Sequence, residues 1–345
     1  MNQSNSKYEV SKRMYQQSKT ILVTGGAGFI GSHLVDVLRG VKIRVLDDFS
    51  TGSRANLDGH TGSDLECIQG DIRDSVLVDR AMRDVDIVFH LACRGVRHSI
   101  GNPKESHDVN AGGTLELLRA ARAHGVKRFI HVSSSEVYGT ARQAPMDENH
   151  TCFPETVYGA AKLAGEAYAR AYFRTYGLPV VIVRPFNNFG PRSHFEGESG
   201  EVIPRFCVWA LNGKAPVIFG DGSQTRDFLY VEDTAHWLRK ISESDQAIGQ
   251  TINLGSGVEV SVRQLAEVIY ELAGRTDILP RYTDKRPGDV ERLIANTGLA
   301  QSLFGFYPRI SLRDGIGRLL TSLKQKSDVP ASFLADMQER NWVLV

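Results

Sequence analysis

Thr20-Ile21-Leu22-Val23-Thr24-Gly25-Gly26-Ala27-Gly28-Phe29-Ile30-Gly31 runs from a short apolar stretch directly into a cluster of glycines. The apolar run is of the kind that forms a strand buried on both faces of a parallel sheet, and it stops at Gly25. Ser32-His33-Leu34-Val35-Asp36-Val37-Leu38 follows with helical apolar spacing. The order is therefore strand, glycine turn, helix. Glycines at 25, 28 and 31 permit the sharp turn, the close approach of a pyrophosphate to backbone amides, and tight packing of helix on strand. A second strand, Lys42 to Leu46, ends in Asp47, where a carboxylate can accept hydrogen bonds from a ribose 2′-hydroxyl. That favours NAD over NADP, with a turn aspartate as the alternative. Asp48-Phe49-Ser50-Thr51-Gly52 continues as a ribose-side loop.

The chain has 345 residues, 41% hydrophobic and 23% charged, with 33 glycines, which suits one large or two interlocked folded domains rich in tight turns. A net charge of +1 gives no reason to expect general attraction to nucleic acid or membrane, so anion binding must come from local arginines. Cys67, Cys93, Cys152 and Cys207 form no Cys-x-x-Cys or Cys/His cluster, so reduced thiols, a cytoplasmic setting and no metal site are expected. Residues 1–18 are polar and read as a loose tail. No apolar run approaches a membrane span.

Leu65 to Ile72 reads as a third strand and Asp86 to Ala92 as a fourth. Cys93-Arg94-Gly95-Val96-Arg97-His98-Ser99 lies beyond the carboxyl end of the fourth, which is where ligands bind in open parallel sheets. Arg94 and Arg97 are thus candidates for cofactor or substrate contact, or else solvated loop charges. Asn110 to His124 is an amphipathic helix closed by Gly125, and Arg128 to Val132 a fifth strand. Ser133-Ser134-Ser135-Glu136-Val137-Tyr138-Gly139 follows it. A serine there can help pass a proton, and Glu136 can serve a second proton transfer; capping serines and a solvated carboxylate are the plainer alternatives. Tyr158-Gly159-Ala160-Ala161-Lys162 opens a helix that runs to about Tyr176. Spacing of i and i+4 stacks Tyr158 and Lys162 on one face, and a fixed cation draws a phenol from pKa ~10 toward the range of a general base. A core tyrosine with a solvated lysine has the same spacing. Val180 to Arg184 is the sixth strand, ended by Pro185.

This alternation defines an α/β, doubly wound parallel-sheet domain over 19–185. Residues 186–325 read as a smaller mixed α/β substrate-binding domain with some segments returning to the first sheet. Ser261 to Gln264 and Ser311 to Asp314 resemble capping boxes within it. Residues 326–345 read as a peripheral tail, with Phe333, Leu334 and Trp342 as docking candidates.

Ordered motifs recur along the chain: Thr24-Gly25-x-x-Gly28-x-x-Gly31, Asp47, Gly70-Asp71-Ile72, His90-Leu91-Ala92, Asn110 with Gly113-Thr114, Ser133 to Gly139 and Tyr158-x-x-x-Lys162. Beyond them stand Arg184-Pro185-Phe186-Asn187-Asn188, Gly190-Pro191-Arg192, Gly222-x-Gln224-x-Arg226-Asp227-Phe228 and Arg286-Pro287-Gly288-Asp289. Together they resemble the extended short-chain dehydrogenase/reductase family, and within it the nucleotide-sugar epimerases, 4,6-dehydratases and UDP-glucuronate decarboxylases, over about residues 19–325. The resemblance implies a Rossmann domain holding NAD through Gly25, Gly28, Phe29, Ile30, Gly31, Asp47, Ser50, Gly52, Asp71, Ile72, Leu91, Ala92, Tyr158, Lys162 and Pro185. It implies Tyr158, Lys162, Ser134, Ser135 and Glu136 as catalytic. Substrate ligands would come from Arg94, Arg97, Ser99, Asn187, Val202, Arg205, Arg226, Asn253, Arg286 and Asp289, around a nucleotide sugar, UDP-linked. Homodimers joined through helices at about 103–124 and 157–176 are a further implication.

In that family the sugar 4-hydroxyl is oxidised first, and the second step decides the product. Ser134-Ser135-Glu136 is similar to the dehydratase and decarboxylase pattern, which places glutamate at the third position and favours a 4,6-dehydratase. A 4-epimerase and then a UDP-glucuronate decarboxylase are the alternatives, and an NAD-binding sensor without catalysis is one of another class. Ser135 stands where some dehydratases carry an acidic donor, so Glu136 is expected to act as base and then acid. Two departures bear on the sugar: a shortened loop at Cys93-Arg94 and a long charged segment, Ser193 to Gly200.

Overall fold

The computed structural model describes residues 20–60, 64–325, 334 and 337–342. The expected N-terminal tail and Phe333 lie outside the described residues. Strands in chain order are β1 Ile21–Thr24, β2 Ile43–Asp47, β3 Leu65–Gln69, β4 Ile87–His90, β5 Arg128–Val132, β6 Val180–Pro185, β7 Asn187–Phe189, β8 Val217–Phe219, β9 Thr225–Tyr230, β10 Thr251–Leu254, β11 Glu259–Ser261 and β12 Arg281–Thr283. Seven of them form one sheet in the order β10-β6-β5-β4-β1-β2-β3. Every pairing in it is parallel. The switch in direction at β1 and β4 opens a crevice beyond the strand carboxyl ends. Alternation along β1 sends Ile21 and Val23 into one core, with Leu34, Trp237 and Leu238, and Leu22 into the opposite one, with Val88, Leu117 and Phe129. Two covered faces explain why these strands read as unbroken apolar runs.

A three-stranded sheet β11-β9-β7, a pair β12-β8 and the helices Val202–Leu211, Val262–Leu272 and Leu312–Gln325 enclose a separate core around Phe206, Phe228, Leu265, Ile269 and Leu319. Ser261 and Gln264 form a complete capping box. At the other expected box, Asp314 N–H donates to the Ser311 hydroxyl at 3.1 Å, and that hydroxyl donates to the Asp314 carboxylate at 2.6 Å.

One departure from expectation matters for the site. The helix expected from Asn110 begins as a wide, π-type turn at Asp108–Gly113 and becomes α-helical only over Thr114–Ala123. Asn110 causes it: buried, its amide grips Arg94 N–H at 2.8 Å and Arg94 carbonyl at 3.0 Å, contacts that a regular turn would misdirect. In the carboxyl-terminal segment two of the expected docking residues are packed. Trp342 is buried against Phe219, ring centroids 4.6 Å apart, and Leu334 packs on the smaller core.

The helix Val157–Tyr176 starts where the Thr156 hydroxyl accepts from Gly159 N–H at 3.1 Å, and it ends at Gly177, whose φ of +69° suits glycine. A side chain at Gly159 would strike the Glu136 carbonyl at 2.6 Å. Glycine therefore brings the first helical turn hard against the segment after β5. Among the described residues no helix is long and apolar enough to cross a membrane.

Candidate active site

A cavity of about 420 Å³ opens at the carboxyl ends of the parallel strands and extends between the two cores. Its first wall is the glycine turn. Gly25 has φ +70°, and a Cβ there would lie 2.7 Å from the Ala92 nitrogen; a Cβ on Gly31 would lie 2.1 Å from the Gly25 carbonyl oxygen. Gly28 occupies the N-cap of the helix Phe29–Val37 with no side-chain cap and no acidic residue in the first turn, leaving its amides open to an anion. Leu46, Asp47, Ser50, Asp71, Ile72, Leu91 and Ala92 line the same side. These residues fit a dinucleotide. Gly52 does not line the cavity; it packs behind Asp47, whose Oδ1 a Cβ would meet at 3.0 Å. Asp47 itself is engaged by the turn: Oδ2 accepts from Ala27 N–H at 2.9 Å and Oδ1 from Phe49 N–H at 2.8 Å. Burial raises its pKa against those hydrogen bonds.

Past β5, Ser134, Ser135 and Glu136 line the cavity with Tyr158, Lys162 and Pro185. Ser134 Oγ accepts from Glu136 N–H at 3.2 Å. Burial lifts the Tyr158 phenol well above its usual pKa, reinforced by Cys93, while a hydrogen bond with Ser134 opposes the rise. Lys162 Nζ donates to the Val132 carbonyl at 2.9 Å, at the very end of β5. Burial is thus the largest influence on the phenol in this structure. Glu136 is buried, burial raises its pKa against the pull of Arg226 and Arg286, and its Oε2 has no hydrogen-bond partner among the described residues.

The far wall is basic. Arg226 and Arg286 both bind Asp289 Oδ1, at 2.7 and 2.6 Å, so Asp289 forks two guanidinium groups toward the space rather than facing a ligand alone. Arg97 lines the cavity without a hydrogen bond or ion pair to any described residue, and burial, aided by Arg286 and Arg205, lowers its pKa to about 9. Arg205 donates to the Gln338 and Glu339 carbonyls at 2.5 and 2.9 Å. Besides Glu136 Oε2, the buried unpartnered atoms include Asn187 Oδ1, Arg205 Nε and Arg286 Nε, all on residues of this cavity. Such a cluster is the mark of a site whose partners arrive with the ligand. Val202 lines it as well.

Of the expected substrate contacts, Ser99 and Asn253 do not line the cavity and Arg94 lines it on the cofactor side. Ser99 is buried and donates to the Val96 carbonyl at 2.6 Å, capping its own turn. Asn253 is fully buried in β10, where Oδ1 accepts from the Tyr138 hydroxyl at 2.8 Å and Nδ2 donates to the Met146 carbonyl at 3.1 Å. Arg94 does line the cavity, but it turns to the cofactor side: it donates to Asp48 at 3.1 Å and to Ser50, and to Glu105 at 3.2 Å. Opposite charges on the ribose-side loop capture it.

Two parts of the site escaped sequence reasoning. Glu201 lines the cavity, and burial pushes its pKa up to about 8. Asp227, next to Arg226 and so on the other face of β9, accepts from Ser256 N–H and hydroxyl, Gly257 N–H and Ala295 N–H at 2.6 to 3.0 Å, clamping the segments behind the arginine wall.

The NAD dependent epimerase/dehydratase family model matches residues 21–255. A UDP-glucose 4-epimerase of Mycolicibacterium smegmatis is 37% identical over 312 residues, covering 89% of this chain and 99% of that protein. A dTDP-glucose 4,6-dehydratase of Streptomyces niveus is 35% identical, covering 86% and 90%. The crystal structure of DesIV, a dTDP-glucose 4,6-dehydratase from Streptomyces venezuelae with NAD and TYD bound, superposes with a TM-score of 0.84 at 33% identity, over 89% of this chain and 97% of that one. With the glycine cradle and the Tyr158–Lys162 helix in place, these matches show that the chain belongs to the NAD dependent epimerase/dehydratase family and that its cofactor is NAD.

Proposed function

We propose that this protein is a nucleotide-sugar 4,6-dehydratase acting on a UDP-linked hexose. The observation that carries this reading is Glu136, a buried carboxyl in the cavity whose Oε2 lacks a partner, one residue past Ser135 and two past Ser134. A simple 4-epimerase has no use for a base there. A dehydratase needs one.

NAD, which the glycine turn, Asp47, Asp71 and Ile72 would hold, would supply a hydride acceptor for the sugar C4. Tyr158, joined to Ser134, takes the proton of the 4-hydroxyl. Burial opposes the phenolate, so the Lys162 ammonium, one turn along the same helical face, is required for that transfer. The C4 ketone acidifies the C5 hydrogen, and Glu136 removes it. Arg226 and Arg286, splayed by Asp289, hold the diphosphate with Asn187. The helices over 103–123 and 157–176, with Leu115 and Tyr176 exposed, join two copies in a homodimer.

A C4 epimerase is the second reading, favoured by the identity with UDP-glucose 4-epimerases such as the M. smegmatis protein. Mass spectrometry after incubation with UDP-glucose, UDP-N-acetylglucosamine, UDP-glucuronate and dTDP-glucose separates them. Loss of water is the expected result; a product of unchanged mass alone means epimerase, and loss of carbon dioxide means decarboxylase.

A further inference from the structure

Glu201 is a further carboxyl of the cavity, reached from a different part of the chain than Glu136. It sits at the N-cap of the helix Val202–Leu211, yet its side chain does not cap that helix. Among the described residues its carboxyl makes no hydrogen bond or ion pair, and it shares the cavity with Tyr158, Glu136 and Arg97. Its backbone is firmly held. Glu201 N–H donates to the His194 carbonyl at 2.8 Å, and Asn341 Nδ2 donates to the carbonyls of Gly197 at 3.1 Å and Gly200 at 2.9 Å. On the other side of the loop, Glu198 binds His98 Nδ1 at 2.9 Å. Burial and Cys93 come first among the influences that raise the Tyr158 pKa, and Glu201 is among the lesser ones.

Burial keeps this carboxyl protonated at neutral pH, with Arg97 the opposing influence. Meanwhile the position before Glu136 is a serine hydroxyl, Ser135, a poor proton donor. An elimination of water needs both a base for carbon and an acid for the departing oxygen. Asp47, Asp48, Asp71, Glu198 and Asp289 also line the cavity but are engaged by protein partners, so Glu136 and Glu201, on separate elements, are the two whose roles are open.

We propose that Glu201 is the general acid of the elimination, protonating the sugar 6-hydroxyl while Glu136 takes the C5 proton. The proposal rests on the dehydratase reading. The C5–H bond breaks as its proton passes to Glu136, and its electron pair forms the C5=C6 double bond. The C6–O bond breaks, its electrons go to oxygen, and the Glu201 proton completes the departing water. Glu136 ends neutral and Glu201 ends as a carboxylate that regains its proton from solvent. Glu136 is then relieved of the double duty that Ser135 otherwise forces on it.

The test compares wild type, Glu201→Gln and Glu201→Asp on UDP-glucose, UDP-N-acetylglucosamine and dTDP-glucose and on their 6-deoxy-6-fluoro analogues, in deuterated water. Fluoride leaves without needing a full proton. Glu201→Gln is expected to slow water loss by about 10²- to 10³-fold, with Glu201→Asp recovering part of it. Fluoride release and deuterium entry at C5 should stay within about threefold of wild type, since a general acid acts only on the departing oxygen. Water loss by Glu201→Gln at the wild-type rate overturns the proposal, and so does an equal fall in water and fluoride loss, which marks a positioning residue. A wild-type enzyme that loses no water and yields only isomers overturns the dehydratase reading and this inference together; one that loses water keeps the first whatever the variants do.

Discussion

At Glu136 and Glu201 the same two forces pull in opposite directions: burial penalises the ionised carboxylate, and nearby guanidinium groups favour it. Glu136 has Arg226, Arg286 and Arg97 to oppose burial; Glu201 has Arg97 alone. In the proposed elimination the better-opposed Glu136 serves as the base and Glu201 as the acid. Replacing Glu136 by Gln should leave reduced nicotinamide formation visible by absorbance while product formation falls by about 10²- to 10⁴-fold. Tyr158→Phe should remove the absorbance change as well, because the first proton has nowhere to go. For Glu201, the folded-state pKa of about 8 lies above the ordinary 4.5, so its contribution to stability is fully present below about pH 4.5 and lost as pH rises through about 8. The Tm of Glu201→Gln relative to wild type should therefore climb between pH 5 and pH 9; a constant difference would mean the carboxyl is solvated. Tyr158, Lys162 and the serines were legible because a motif of local spacing announces them. Glu201 was not: nothing in Gly197-Glu198-Ser199-Gly200-Glu201 separates a carboxyl facing solvent from one facing a cavity.

The helix Val157–Tyr176 is positioned by one fully buried carboxylate on its third turn. Glu166 accepts from Arg184 at 2.8 and 2.6 Å, from Arg170 at 2.8 Å and from the Ser133 hydroxyl at 2.6 Å, tying the helix to β6 and to the end of β5. Those partners hold its pKa below the usual carboxylate value in spite of burial. Arg184→Met should cost about 3–5 kcal/mol, because it strands a buried charge, and Arg184→Met with Glu166→Leu should recover much of that. Urea unfolding of the two variants measures both. The strands were readable since a sheet covered on both faces imposes continuous apolar runs. The wide turn at Asp108–Gly113 was not, because its cause, the grip of Asn110 on Arg94, joins residues 16 apart in sequence through backbone atoms that carry no residue signature. Asn253, which the resemblance implied as a substrate ligand, has its amide consumed by Tyr138 and Met146.

Over the whole molecule, one sheet carries the cofactor cradle and the helix of Tyr158 and Lys162, while the smaller core brings the arginines and Glu201 to face them. In the proposed homodimer, Leu115 on one helix and Tyr176 on the other lie at the contact, so Leu115→Glu should shift light scattering from twice the chain's mass toward the mass of one copy. Unchanged mass would place the contact elsewhere. The division into a doubly wound part and a mixed part was legible from the loss of strand–helix alternation after Pro185. The closing of the cavity was not, since it depends on pairings between distant segments. Asn341 and Trp342 are the extreme case: they fasten the Gly197–Gly200 loop and the Phe219 wall across 141 to 144 residues for the loop. During synthesis the parallel sheet is complete once β10 has emerged, about ninety residues before Asn341 is made. A nascent chain can thus hold its cofactor cradle fully formed and still be unable to fasten the wall that carries Glu201 until Asn341 and Trp342 have been made.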